Sequence, residues 1–524
     1  MIEITDPRAP TNPAEEKLLL GCTSAERIVF GDGEYPAQST PELTIRGSLL
    51  RALLLDEANC TLNAKGLRIR GAYITGPVDL QGTTSRYDIT FSQCALDSDL
   101  NLVNADLRGL HLMGCHTKAI SADNAGFSGS VYLRGGCAIK GEVTLAGTRI
   151  GGDLQVCGVT ITSPTQDAIF APSLRVEGSV FLGNYPYADG ETTLTATGML
   201  FFSSGRVAHD FFVTHTDISV QDGTFEAASF GGTEEHGSDI ALSLARARVG
   251  GILYLQNNQI LRGIVNLAGA SAARLTDEPR GPGANYPIRL DGFQYGDFSR
   301  HTDTTLTARL DWLERRPADT PFVAQPYEQL AYVLTRLGHR TDAQTVLMRK
   351  ERYLRRENRD LVRAQTGRGV RWGAMVTTDW LTRITIGYGY RPGRALIFAV
   401  FLISALAVFY QRVWDEGDFA PNAAPILVSA DWIAATRDHP GTPAAIWAAP
   451  GAAGQDYETF HSFAYAADLV IPLVSFGQET AWAPSTSRSP WGQIGWWLRW
   501  LAKIVGWIVT ALGAAALTGI IRKE

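Results

Sequence analysis

The chain lacks the signatures that would announce a reaction. No G-x-G-x-x-G follows a strand-like run, no C-x-x-C pair occurs, and there is no haem-attachment motif. No Ser/His/acid set stands out either, so no catalytic, cofactor-binding or metal-ligating residue is assigned and no cofactor is expected. Charge of one sign is missing too. The net charge is −6 over 524 residues, and between residues 61 and 300 Asp and Glu outnumber Lys and Arg by only five. That excludes a nucleic-acid partner and a strongly acidic, DNA-like rod. Cysteine is absent after Cys157: Cys22, Cys60, Cys94, Cys115, Cys137 and Cys157 all lie in the first third. The N-terminus, Met-Ile-Glu-Ile-Thr-Asp-Pro, has no basic n-region and no apolar h-region. A reducing compartment is therefore expected, with the thiols serving as small core residues. His111 and His116 flank Cys115, but an outward His111 and an inward Cys115 would not share a metal.

What the chain does have is a repeat. Lines started at Leu67, Val78, Ile89, Leu100, Leu110, Ile120, Val131, Val143 and Leu154 align at steps of 10 to 12 residues. The first and third positions are mostly apolar (Leu67/Ile69, Ile89/Phe91, Leu100/Leu102, Val131/Leu133). The sixth is usually small (Ala72, Cys94, Ala105, Cys115, Ala125) and the eighth large and apolar (Ile74, Leu107, Phe127, Ile150). A short fixed period means units that bury their apolar side only by stacking on one another. Two lines make one four-sided coil, with in/out alternation along each extended side. Cys94, Cys115 and Cys137 recur at 21 and 22 residues, which places them on one corner. Ala105-Asp106-Leu107-Arg108-Gly109 resembles the A-(D/N)-L-x-x unit of pentapeptide-repeat proteins. That resemblance implies a mainly β fold, a right-handed quadrilateral β-helix.

The remaining boundaries follow from breaks in this pattern. Residues 1–60 do not repeat; helical patterns at 13–20 and 41–55 make them a helical N-terminal cap on the solenoid of residues 61–300. Roughly ten coils are expected. Two loops, 184–193 and 277–286, should project from the rod, and a repeat piece is read at Phe225. Residues 301–371 read as a short helix and then a helical hairpin turning at Gly338, with Tyr327, Leu330, Val333 and Leu334 inward. Its second arm is basic, with nine Lys/Arg against three acids from Arg349 to Arg371. Residues 372–394 read as a membrane-surface segment. Arg355, Arg356, Arg359, Arg363, Arg368, Arg371, Trp372, Trp380, Tyr388 and Tyr390 are the candidate contacts to anionic lipid and headgroups.

Residues 395–414 and 504–521 are apolar enough to span a bilayer. Trp496, Trp497, Trp500 and Trp507 stand at the start of the second, and Ala511, Ala515 and Gly519 lie on one of its faces, a pattern that suits close helix contact and allows a homo-oligomer. A large folded domain before the first span, without an export signal, places the N-terminal solenoid and the C-terminus in the cytoplasm. Residues 415–503 then form an external loop with an aromatic amphipathic stretch, Phe460 to Trp482, broken at Pro472 and expected at the interface.

Thr385-Ile386-Gly387-Tyr388-Gly389 resembles the selectivity filter of potassium channels, yet no span precedes it, and a turn docking at the headgroups is expected instead. Gly71-Ala72-Tyr73-Ile74-Thr75-Gly76, Gln325-Pro326-Tyr327-Glu328-Gln329-Leu330, Gly387-Tyr388-Gly389-Tyr390-Arg391-Pro392 and the Pro472 segment are similar to those of large bacterial proteins with a β-helical N-terminal domain and two C-terminal spans. The resemblance implies the label membrane-associated oxidoreductase, for which the residues offer no redox motif. The residues point instead to an inner-membrane-anchored cytoplasmic scaffold or receptor without catalysis, whose partners are membrane lipid and a cytoplasmic protein. The alternatives are an oligomeric channel, a membrane-perturbing effector, or the oxidoreductase of the label.

Overall fold

The computed structural model describes residues 8–58, 60–163, 167–187, 189–220, 239–281, 286–318, 320–391 and 393–517. The chain divides into two compact units, Met1–Val346 and Leu347–Glu524.

The first unit is a parallel β-solenoid of about nine turns. One ladder runs through paired residues Leu67, Ile89, Leu110, Val131, Leu154, Val180, Phe211, Leu253, Leu275 and Phe298. Three further parallel ladders pass through Ile74–Leu96, Leu100–Ile120–Val143–Ile169–Leu200 and Leu107–Phe127–Ile150–Val176–Val207. The register read from the repeat is the register of the coil. Leu107, Phe127, Ile139 and Ile150 are buried and Asp106 is exposed.

One corner is built by a column of left-handed residues: Gly82, Asn104, Asn124, Gly147, Ser173, Ser204, Arg246, Gly269 and Gly292. Asn and Gly tolerate that conformation best, which is why the residue before the small inward position is so often one of them. Cys94, Cys115 and Cys137 do stack, one place before the rung Ala95–His116–Ala138. Burial drives the Cys137 thiol pKa upward. Cys157 sits in a different column, between Arg134 and Gly183.

Successive rungs from Leu67 to Leu154 are 21 to 23 residues apart, but Leu154, Val180, Phe211 and Leu253 are farther apart. The extra residues enter as insertions; the repeat piece read at Phe225 lies outside the described residues. The described residues show how the two expected projections are anchored. In the first, Asn184 Oδ1 accepts from the Thr192 amide at 3.0 Å. Tyr185 packs edge-on against Phe181 at 5.0 Å, so this loop lies back on the sheet and covers Phe181 and Cys157. The second is anchored at both ends, with Asp277, Pro279 and Tyr286 buried; residues 282–285 lie outside the described set.

Residues near both ends of the solenoid are tied to it. Helix α1 (Pro13–Gly21) starts at Asn12, whose Oδ1 accepts from the Glu15 amide. Helix α2 (Gly47–Leu54) follows strand Thr44–Arg46, which pairs with Tyr73–Thr75, while Ile28–Val29 pairs with Ile69 and Arg70. Cys22 and Cys60 form a disulfide across a Cα separation of 6.8 Å. This corrects the expectation of six thiols and removes the cysteine argument for a reducing compartment: both residues lie outside the repeat, so no periodicity could pair them. At the other end come α3 (Leu306–Glu314) and α4 (Gln325–Arg336). Gln325 and Gln329 of α4 donate to the carbonyls of Phe293 and Tyr295 at 3.1 and 2.6 Å, satisfying acceptors beside the final strand. The Gln325–Leu330 motif thus has a structural role.

The boundary between the units falls within α5 (Arg340–Thr366). The second unit continues with α6 (Val370–Thr385), a helix where the sequence suggested a surface segment and turn, and α7 (Gly393–Asp415). Short helices α8 (Ala424–Leu427), α9 (Ala430–Asp438) and α10 (Pro443–Trp447) follow, then α11 (Ser462–Val470), α12 (Gln478–Ala481) and α13 (Pro490–Leu517). Phe419–Pro421 pairs antiparallel with Trp482–Pro484. Two helices, α7 and α13, are long and apolar enough to cross a membrane, with window mean hydropathies of 2.1 and 1.4. The boundary expected at residue 504 falls well inside α13. Residues 415–503 are more than a loop: Phe419, Trp432, Trp447, Tyr465 and Trp482 form a buried aromatic core with Tyr410 of α7.

Candidate functional site

Along one outer face of the solenoid, the second residue of successive lines forms a column: Arg68, Thr90, His111, Tyr132, Gln155, Phe181, Phe212 and Tyr254. The loop at residues 184–193 covers the Phe181 region. The uncovered stretch opens into a groove of about 640 Å³ that also takes in Arg27, Lys65, Asp88, Arg108, Met113 and Arg134. His111 stacks on Tyr132 at 4.7 Å, and the Arg134 guanidinium lies 4.4 Å from the rings of both Tyr132 and Tyr185. These contacts hold Arg134 in place without neutralising it.

Five cations line the groove against one carboxylate, Asp88, which Arg108 engages at 3.4 Å. Among the described residues Arg27, Lys65, Arg68 and Arg134 have no ion-pair partner. Burial lowers the His111 pKa from its ordinary value against the pull of Asp88, and the Arg134 guanidinium lowers it further. On a chain of net charge −6 this is a local reversal of sign. The column falls at the second position of the repeat, which in/out alternation turns outward, but it was not read as a site. The contributions of Arg27 and Lys65 were not legible in the repeat, since neither lies on a rung of this column.

The residues named as membrane contacts separate into groups. Arg363, Arg368 and Arg371 are exposed and have no ion pair among the described residues, with Arg368 5.8 Å from the Trp372 ring; Trp380 is exposed. Arg356 is exposed but lies 4.0 Å from Asp360. Arg355 and Arg359 turn inward to Asp379, which Arg359 engages directly and Arg355 approaches at 3.9 Å. Tyr388 is buried, donating its hydroxyl to Asp379 at 3.0 Å beneath the Arg355 guanidinium. It is an internal packing residue, which corrects its reading as a headgroup anchor; Tyr390 is half-buried.

The filter-like pentapeptide is a turn between helices. Gly387, Tyr388 and Gly389 are all left-handed, at φ +53, +57 and +90°. The Ile386 carbonyl accepts from Gly389 and Arg391, and the Gly387 carbonyl from Tyr390. A filter needs free carbonyls aimed at an ion; these two are committed to their own turn.

A second charged cluster lies between α12 and α13. Glu479 accepts from Arg499 Nε at 2.9 Å and Lys503 Nζ at 2.7 Å, while Asp468 accepts from the Glu479 amide at 3.0 Å. Among the described residues no group of three or more His, Cys, Asp or Glu is arranged to hold a metal ion. No family model, curated protein or solved structure matches the chain. The geometry therefore carries the functional reading.

Proposed function

We propose that this chain is a membrane-anchored β-solenoid scaffold that grips an acidic segment of a cytoplasmic protein partner in its basic, aromatic groove. The carrying observation is that one chain holds both a groove with four unpaired cations and two helices with outward apolar faces. On α7, Leu396, Ile397, Val400, Phe401 and Val408 are exposed; on α13, Trp497, Ile504 and Trp507 are. Acyl chains are the natural cover for such faces. Arg363, Arg368 and Arg371, on α5, α6 and the short connection between them, suit anionic headgroups.

In this reading the solenoid is a right-handed quadrilateral helix whose N-terminal helices and strands close its first turn. It sits at a bacterial inner membrane, with solenoid and C-terminus cytoplasmic and the residues between the spans outside. A photo-crosslinker at Met113, which is 42% exposed in the groove, tests the partner surface. Adducts should form at Met113 and not at the exposed Arg175. They should vanish when Arg68 and Arg134 are both changed to Glu. Adducts that survive that reversal would remove the groove from the partner surface.

A further inference from the structure

The charges of the second unit stand where two plain spans would have none. Helices α7 and α13 are antiparallel: Gly513 meets Ala395, and the Tyr410 hydroxyl donates to the Gly495 carbonyl at 3.0 Å. The apolar run Ala395–Tyr410 therefore lies beside residues 495–513, and Arg499 and Lys503 fall within that stretch. Helix α11 descends in the same space. Tyr465 packs on Tyr410 at 4.8 Å between ring centroids, and Val470 reaches Gly506, whose missing side chain would sit 2.4 Å from the Val470 carbonyl oxygen. Gly506 is level with the middle of the α7 apolar run, at 1.5 Å rise per residue from either contact.

The turn beyond Val470 is held in part by its own groups. Asp468 accepts from the amides of Phe476 and Glu479, Ile471 from Val474, and Ser475 from Gly477. Its side chains face the other way in character: Leu473 is 79% exposed and Phe476 51%. Glu479, Arg499, Lys503 and Asp468 together sum to zero charge. An apolar tip, paired charge and packing against α7 and α13 are what let irregular chain enter the apolar zone.

We infer that Ser462–Ala481 is a re-entrant hairpin, its Leu473–Phe476 tip against acyl chains and its Glu479–Arg499–Lys503 cluster inside the apolar zone. This rests on the membrane-anchoring reading and replaces the interfacial placement expected for residues 460–482. The test uses the full chain in phosphatidylcholine/phosphatidylglycerol vesicles, with an environment-sensitive fluorophore on single cysteines introduced at Val474, Phe401 and Thr486. The four native free thiols are buried and give little background. Val474 and Phe401 labels should be quenched by nitroxides on the acyl chains and resist aqueous iodide, with Thr486 doing the reverse. A Val474 label quenched like Thr486, beside a lipid-quenched Phe401, would overturn the hairpin alone. Iodide quenching at Phe401 would instead overturn the anchoring itself. Glu479→Gln should move the Val474 label several-fold toward iodide, and Glu479→Asp should not. An unchanged Val474 in Glu479→Gln would deny the cluster its role.

Discussion

Asp277 and Arg309 form a bidentate ion pair from which solvent is excluded, with Nη2–Oδ1 at 2.7 Å and Nη1–Oδ2 at 3.0 Å. The same guanidinium lies 4.4 Å from the Phe298 ring, so α3 is fastened to the last turns of the solenoid through one side chain. Removing one member of a buried pair leaves an uncompensated charge, at a cost of about 3–5 kcal/mol. Arg309→Met should lower the solenoid's thermal transition and expose residues 277–318 to limited proteolysis. The double change Arg309→Met, Asp277→Leu should recover most of the loss; a double variant as weak as the single would show that geometry, not charge, is what matters there.

Neighbouring residues on one strand should respond oppositely. Leu107 is 4% exposed, stacked under Phe127, while Asp106 faces solvent. Leu107→Asp places an unpaired carboxylate in a dry stack and should destabilise by several kcal/mol, roughly the upper range for point changes. Asp106→Lys should stay within about 0.5 kcal/mol. Denaturant melts followed by far-UV circular dichroism read both.

Acid should loosen the N-terminal helix first. Burial raises the Glu15 pKa, but hydrogen bonds from the Arg46 side chain and amide and from Thr11 outweigh it and hold the carboxyl below its ordinary value. A depressed folded pKa contributes stability that is present above the unfolded value near 4.5 and is lost as pH falls through the folded one. Below pH 4.5, hydrogen exchange in Pro13–Gly21 should rise while Leu110–Leu154 stays protected. Glu15→Gln should show fast exchange already at neutral pH.

The solenoid was legible because its register is a local matter: in/out alternation at Leu67/Arg68/Ile69 is written in adjacent residues. Features made by distant residues were not. Cys22 and Cys60 meet 38 residues apart. The charges of Arg499 and Lys503 marked a span's end when read alone, yet α13 runs past them, and Glu479, from another segment, pairs with both. Helix α6 was missed for a related reason: its arginines and its filter-like C-terminal extension suggested a surface turn, while the fixing contact is Asp379 with Arg359, across 20 residues. Tyr388 looked like an interface aromatic until its hydroxyl partner was known.

Ionic current provides the last test. In the filter-like turn the Ile386 and Gly387 carbonyls are taken by the amides of Gly389, Arg391 and Tyr390, so they cannot replace an ion's hydration shell. The turn needs left-handed backbone at Gly387, where a Cβ would also come within 3.3 Å of the Met348 sulfur. Gly387→Ala should therefore cost about 1–2 kcal/mol in helix packing, read as an earlier thermal loss of the α6–α7 contact. Asp379→Asn should produce a similar loss, since Arg359 and Tyr388 both depend on that carboxylate. Reconstituted wild-type protein should pass no potassium-selective current, and neither variant should change ion flux. A potassium-selective conductance abolished by Gly387→Ala would make the turn a filter and the chain a channel. Non-selective leakage that disappears on removing the apolar tip, with Leu473→Ser and Phe476→Ser together, would instead assign the hairpin to a membrane-perturbing effector.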